Sequence, residues 1–280
     1  MKAGVIGLGN IGGGVAKCLA RNGMLSAIYD VSSEAAARID VGLDNGASPR
    51  AIAEQSDVVL IAVFNAEQAR AALAGRGGVL AAGRPDVPII LLSTVSVDDY
   101  RSLRALVTAA GCELVDCGVT GGSSAASGGL VCLVGGNVEV VERVRPVLDG
   151  FAKGVYHMGE AGAGMAGKIA RNVMIYGTWL VEHEAFKLAR AAGVDPAQLV
   201  SVVMDSRGSV APPCVWQRRD PAFGSEVVDG VRRGRSAAVL IKDLGAAIDL
   251  ADALELNLPV SLLARANGPA ITGLDVEPVD

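Results

Sequence analysis

The stretch GVIGLGNIGGGVAKCL, residues 4–19, holds six glycines in sixteen positions. Glycine loses more backbone entropy on folding than any other residue, so this density implies a chain that turns tightly or approaches something closely. Within it Gly7-Leu8-Gly9-Asn10-Ile11-Gly12 fits the spacing G-x-G-x-x-G. An apolar run at 2–6 precedes it and an amphipathic run at 11–21 follows it, the strand–turn–helix context that a dinucleotide-binding turn requires. On that reading Gly7 makes the turn, Gly9 lets a pyrophosphate come close, and Gly12 lets helix and strand pack together. The amide N–H groups at the start of the helix then face the phosphate charge. In a chain with 36 glycines the pattern alone would be weak. Its context is what gives it weight.

The context continues in the rest of the first half. Short β-branched runs at 2–6, 25–29, 58–63, 89–92, 113–117 and 130–134 predict strands. Helical patterns at 11–21, 33–40, 66–73, 98–110 and 138–148 lie between most of them. Such alternation predicts βαβ units and a parallel sheet covered by helices. The second strand ends at Asp30, eighteen residues past Gly12, where a carboxylate can take a ribose 2′-hydroxyl and repel a 2′-phosphate. No arginine follows it directly, so NAD is expected rather than NADP.

The texture changes after about residue 163. A helical pattern without proline runs over 165–192, and Asp195-Pro196 starts another helix. The expected architecture is therefore α/β: an N-terminal Rossmann domain with a doubly wound parallel sheet, residues 1–162, followed by an all-α C-terminal domain, residues 163–280. A hydrophobic share of 51% supplies the core for both. The net charge of −5 argues against a nucleic-acid partner. No apolar run is long enough to predict a membrane span. The five cysteines (Cys18, Cys112, Cys117, Cys132 and Cys214) show no metal-ligand or disulfide spacing, which suits a cytoplasmic protein.

A dinucleotide fold does not name a reaction. An enzyme that removes hydride from an alcohol also needs a group to take the hydroxyl proton. His157 and His183 are the only histidines, and neither lies in a suggestive setting. In GAGMAGKIARN, residues 162–172, Lys168 and Asn172 stand four apart on one helical face, with small residues before them. Burial or a neighbouring cation would lower the lysine pKa toward a useful range. A solvated helix face is the plainer reading of such a pair.

Four motifs in order decide between these readings. GLGNIGGGVA (7–16), DCGVTGG (116–122), GAGMAGKIARN (162–172) and Lys242-Asp243-Leu244 together resemble the β-hydroxyacid dehydrogenase family, which includes 3-hydroxyisobutyrate dehydrogenases and tartronate semialdehyde reductases. The resemblance implies NAD-dependent oxidation of a small 3-hydroxy acid, or reduction of its semialdehyde. It implies Lys168 as general acid/base with Asn172 as its partner. Thr120, Gly121, Gly122 and Ser123 would bind the substrate carboxylate, in line with the anion-binding capacity of a glycine-rich turn. Cofactor contacts are implied for Gly7, Leu8, Gly9, Asn10, Ile11, Gly12, Asp30, Val63, Phe64, Asn65, Thr94 and Lys242, with Asp243 bracing Lys242. No metal is expected, and a homodimer or homotetramer is. Two alternatives stay open: an imine reductase-like enzyme of the same two-domain plan, and a non-catalytic NAD-binding sensor. The segment 206–235 carries no readable motif, so the identity of the substrate is left unread.

Overall fold

The computed structural model describes residues 1–206, 234, 237–241, 244–245, 248, 251–252, 255–271 and 274. Lys242, Asp243, Cys214 and the arginines of the 206–235 segment lie outside the described residues. The chain divides into two compact units, Met1–Asn172 and Val173–Asp280.

The first unit is built on a seven-stranded sheet in the order β2-β1-β3-β4-β5-β6-β7. Its strands are β1 (Ala3–Ile6), β2 (Leu25–Tyr29), β3 (Val58–Ile61), β4 (Ile89–Leu91), β5 (Leu114–Thr120), β6 (Leu130–Gly135) and β7 (Ala152–Gly159). β1, β3 and β4 are buried along their whole length, which is why they read as continuous apolar runs rather than alternating ones. Helices α1 (Asn10–Arg21), α2 (Ser33–Ala37), α3 (Pro49–Glu54), α4 (Ala66–Ala74), α5 (Val97–Ala109) and α6 (Val138–Asp149) connect the strands. Short polar side chains set where several of them start. Ser32, Ser48, Asn65, Ser96 and Asn137 each accept a hydrogen bond from an amide in the first turn of the helix that follows.

Two apolar clusters form the core. One gathers Val15, Leu19, Val119, Val144 and Phe151 around α1 and α6. The other gathers Ile52, Leu73, Tyr100 and Val107 around α3, α4 and α5.

The sheet is parallel except at one junction. β5 and β6 pair antiparallel, Val119 opposite Cys132, at a junction where the sequence shows no helical pattern between the strands. The reason is the connection. Residues 121–129 fold into a short 3-10 turn (Gly122–Ser127), and a parallel crossover needs a dozen residues or more. The strand order reverses between β1 and β3, and in open α/β sheets the crevice at the strands' carboxyl ends beside such a reversal is where ligands bind.

The helix α7 (Ala163–Ala191) begins in the first unit and continues into the second. The described part of the second unit is mainly helical, with α8 (Pro196–Asp205) and the helices Pro259–Ala266 and Gly268–Ile271. There the buried carboxylate of Glu184 accepts from Val260 N at 2.8 Å, Ser261 N at 3.1 Å and Ser261 Oγ at 2.9 Å. It thereby satisfies amides at the start of Pro259–Ala266 that have no partner within that helix. No helix among the described residues is long and apolar enough to cross a membrane.

Candidate active site

The glycine signature has the geometry its spacing implied. Gly7 takes φ +88°, a left-handed conformation that favours glycine, directly against the backbone of Ala62. A methyl group on Gly12 would collide with the Gly7 carbonyl oxygen, so α1 can sit this close to β1 only with glycine there. Gly9 is the opposite case: a methyl group added to it would meet nothing within 4 Å. That open space above the first amides of α1 is the room a pyrophosphate needs, so the residues present fit a dinucleotide.

Asp30 stands at the tip of β2, and both its oxygens are oriented. Oδ2 accepts from Leu8 N at 2.6 Å and Oδ1 from Ser32 N at 2.8 Å. Asn45 fixes the backbone on either side, accepting from Asp30 N and donating to Asp30 O, each at 2.9 Å. A cleft of about 780 Å³ opens beside it, lined by Gly7, Gly9, Asp30, Val63, Phe64 and Arg76 among others. Phe64 is 88% exposed and Val31 91%, large apolar groups left uncovered at the cleft.

Other residues named from the sequence do local structural work. The Asn65 side chain caps α4 through Gln68 N at 2.9 Å. Buried Ser93 accepts from Val63 N at 2.9 Å and so holds the ends of β3 and β4 together, while its neighbour Thr94 is exposed.

β5 carries the second half of the site. Alternate residues of a strand share a face, so Asp116, Gly118 and Thr120 lie on one side of β5 and Val115, Cys117 and Val119 on the other. The latter three belong to the core around α1. On the former face, the fully buried Asp116 accepts from Gly162 N and Met165 N, both at 2.7 Å. Its charge is balanced by amides at the start of α7, which favours an anion there.

One turn further along α7, Lys168 packs over Gly118. A methyl group on Gly118 would stand 2.5 Å from Lys168 Cβ and 3.0 Å from its Cγ. The lysine is 8% exposed, and no described residue pairs with its Nζ. Burial pushes its pKa below the ordinary lysine value, and the cationic neighbour Arg171 adds to the effect. Asn172 accepts from Arg171 at 3.3 Å. The small residues ahead of Lys168 let the start of α7 pack closely on the sheet. Gly164 lies against the backbone of Leu133 and Gly135, and Gly162 supplies an amide to Asp116.

The turn Thr120–Ser123 and the dinucleotide loop meet. Asn10 Nδ2 donates to the Gly122 carbonyl at 3.1 Å. Gly121 (φ +88°) and Gly128 (φ +75°) bracket the turn in left-handed conformations. The first unit thus brings Gly7, Gly9, Asp30, Val63 and Phe64 to one cleft, and ties Thr120–Ser123 both to the glycine loop, through Asn10, and to the strand beneath Lys168. Lys242 and Asp243 are outside the described residues, and so outside this geometry.

Sequence reasoning missed two residues. Asp116 stood inside a quoted motif, and a carboxylate in an otherwise apolar strand is a signal in itself, since burial requires it to find donors. Arg76 offers no such signal; only folding carries it to the cleft of Asp30.

Comparison with known proteins agrees with this geometry. The family model described as the NAD binding domain of 6-phosphogluconate dehydrogenase matches residues 2–159. That described as NAD-binding of NADP-dependent 3-hydroxyisobutyrate dehydrogenase matches residues 162–267. An L-threonate dehydrogenase of Cupriavidus necator is 34% identical over 94% of this chain and 87% of its own length. The solved structure of Mycobacterium tuberculosis 3-hydroxyisobutyrate dehydrogenase with L-serine is 29% identical, with a TM-score of 0.68 over 100% of this chain and 96% of that one. An imine reductase of Myxococcus stipitatus shares the fold, with a TM-score of 0.80, 16% identity and coverage of 96% of this chain and 93% of that one. The two family models span both halves of the sequence, and the chain belongs to the β-hydroxyacid dehydrogenase family, as one of its NAD-binding dehydrogenases.

Proposed function

We propose that this dehydrogenase interconverts a small 3-hydroxy acid of the 3-hydroxyisobutyrate type and its semialdehyde, with Lys168 as general acid/base. The observation that carries the reading is the lysine itself: a buried side chain with a depressed pKa, seated on Gly118, two residues before the Thr120–Ser123 turn. Bound NAD supplies the acceptor for the hydride leaving the carbinol carbon. Lys168 Nζ, in its neutral form, takes the hydroxyl proton; in the reverse direction the ammonium returns it. Asn172, one helical turn beyond, holds the hydroxyl or the carboxylate. The amides of Gly121, Gly122 and Ser123, with the Thr120 hydroxyl, receive the carboxylate. The family resemblance assigns Lys242 to the cofactor and Asp243 to its support.

Specificity for NAD over NADP rests on Asp30, whose fixed carboxylate suits a ribose hydroxyl and opposes a 2′-phosphate. The L-threonate and L-serine named for two relatives are both small hydroxy carboxylates, which supports that substrate class. The division of labour follows: residues 1–162 hold the cofactor, and residues 163–280 shape the substrate pocket and the contacts of a homodimer or homotetramer. The four described cysteines are all free and buried, which suits the cytoplasm. Imine reduction is the weaker reading, because the likeness to imine reductases extends to the fold alone.

The test is formation of reduced nicotinamide from NAD, and separately NADP, with 3-hydroxyisobutyrate, L-serine, glycerate and threonate. Turnover with NAD on one of them is the expected result. Silence on all four, with NAD binding shown independently, would move the assignment to imine chemistry or to a sensor.

A further inference from the structure

The helix that follows the dinucleotide loop also carries the turn assigned to the substrate carboxylate. Asn10, Gly14, Cys18 and Arg21 are spaced by four, four and three residues, so they form one face of α1. Each of them meets the segment 122–126. Asn10 Nδ2 donates to Gly122 O at 3.1 Å, Cys18 Sγ to Ala125 O at 3.3 Å, and Arg21 Nη2 to Ala126 O at 2.7 Å. Gly14 has no side chain because Ala125 is already there, its Cβ 2.6 Å from where a methyl group on Gly14 would sit.

The four ties differ in place. Those at Gly14, Cys18 and Arg21 fix the far side of the turn, at Ala125 and Ala126. Asn10 is the first residue of α1, directly after Gly9 with its open space, so it is part of the loop the pyrophosphate would fill. Its side chain holds the carbonyl of the Gly122–Ser123 peptide. A trans peptide is planar, so fixing the carbonyl direction also fixes the Ser123 N–H, which points the opposite way. That N–H is one of the donors assigned to the carboxylate. The Ser124 N–H, by contrast, is already bonded to Gly121 O at 2.8 Å.

We infer that Asn10 is a positioning residue: by holding the Gly122 carbonyl from within the dinucleotide loop, it makes cofactor binding orient the carboxylate-binding peptide. The inference rests on the reading of Gly7–Gly12 as the cofactor loop and of Thr120–Ser123 as the carboxylate turn. NAD binding immobilises the loop, the loop immobilises the Asn10 amide, and the Ser123 N–H is aimed before the substrate arrives. Linkage then requires the reciprocal effect, a bound carboxylate tightening NAD by the same factor.

Amide hydrogen exchange of the full-length protein, with and without saturating NAD, tests this without needing the substrate. In the wild type, NAD should slow exchange in 121–129 by roughly threefold to tenfold, the change that one hydrogen bond of ordinary net strength makes. Segment 25–33, around Asp30, reports cofactor occupancy independently. In Asn10→Ala, NAD should still protect 25–33 while its effect on 121–129 disappears. In Arg21→Met, which removes a hydrogen bond on the side of the turn away from the dinucleotide loop, the effect on 121–129 should persist. Equal protection of 121–129 in wild type and Asn10→Ala would overturn the inference. So would its loss in Arg21→Met, or its absence in wild type while 25–33 is protected. If NAD protects neither segment of the wild type, the cofactor-loop reading falls, and this inference with it.

Discussion

Lys168 is a lysine whose surroundings disfavour its charge. The stem lies over Gly118, burial penalises the ammonium, and Arg171 adds a second cation nearby. The direction of the shift sets the direction of a pH dependence. Oxidation of a hydroxyl needs the neutral amine, so kcat should rise with pH through the lysine pKa, at a midpoint below that of an ordinary lysine. Reduction needs the ammonium and should fall through the same midpoint. Paired kcat–pH profiles in the two directions check this; two limbs of the same sign would exclude a single acid/base group.

Asp30 makes an equally local prediction. The side-chain oxygen of asparagine can replace one carboxylate oxygen as an acceptor, but the charge is gone. Asp30→Asn should therefore reduce the preference for NAD over NADP roughly tenfold to a hundredfold, measured as the ratio of kcat/KM values. An unchanged ratio would mean that Asp30 does not face the ribose.

At the scale of elements, the site depends on how α7 docks on β5. Asp116 gathers two amides of the helix's first turn, Gly164 fits against β6, and Gly118 leaves room for Lys168. Gly118→Ala should push the helix off the strand where the lysine sits. The expected result is a loss of about 1–3 kcal/mol in urea unfolding, the usual cost of overpacking a close contact. A kcat at least tenfold lower should accompany it, with NAD affinity nearly intact, because 1 Å of displacement is costly to chemistry and α1 lies elsewhere. Normal turnover in a normally stable variant would show that Lys168 does not depend on this seat.

Most strands, most helices and the cofactor turn were legible because each is written locally. β-branched runs, polar caps and G-x-G-x-x-G need no knowledge of what folds against them. The helix Pro49–Glu54 was missed, being too short for a periodic signal. The reversal at β6 was not legible, because strand direction depends on the length of a loop. Arg76, and the face of α1 that holds the 122–126 segment, were invisible for a further reason. Both exist only once residues far apart in the chain have met.

At the scale of the whole molecule, the second unit presents uncovered apolar side chains among its described residues. Val200, Val202, Val203 and Met204 of α8 and Leu262 and Leu263 of the helix Pro259–Ala266 are largely exposed apolar groups. Where such side chains form a contiguous patch, it marks an interaction site. With the family's implied assembly, this leads us to expect a mass by light scattering of two or four times the 28.4 kDa chain. A monomer at micromolar concentration would remove the assembly from the account.

The central claim is that one lysine performs the proton transfer while the rest of the fold holds cofactor and substrate around it. It is tested most directly by comparing Lys168→Ala with wild type, on the hydroxy acid that the substrate panel identifies. With Lys168 as the acid/base, kcat should fall by roughly 10²–10⁴-fold while the Kd for NAD stays within about threefold. Wild-type turnover in the variant would contradict it.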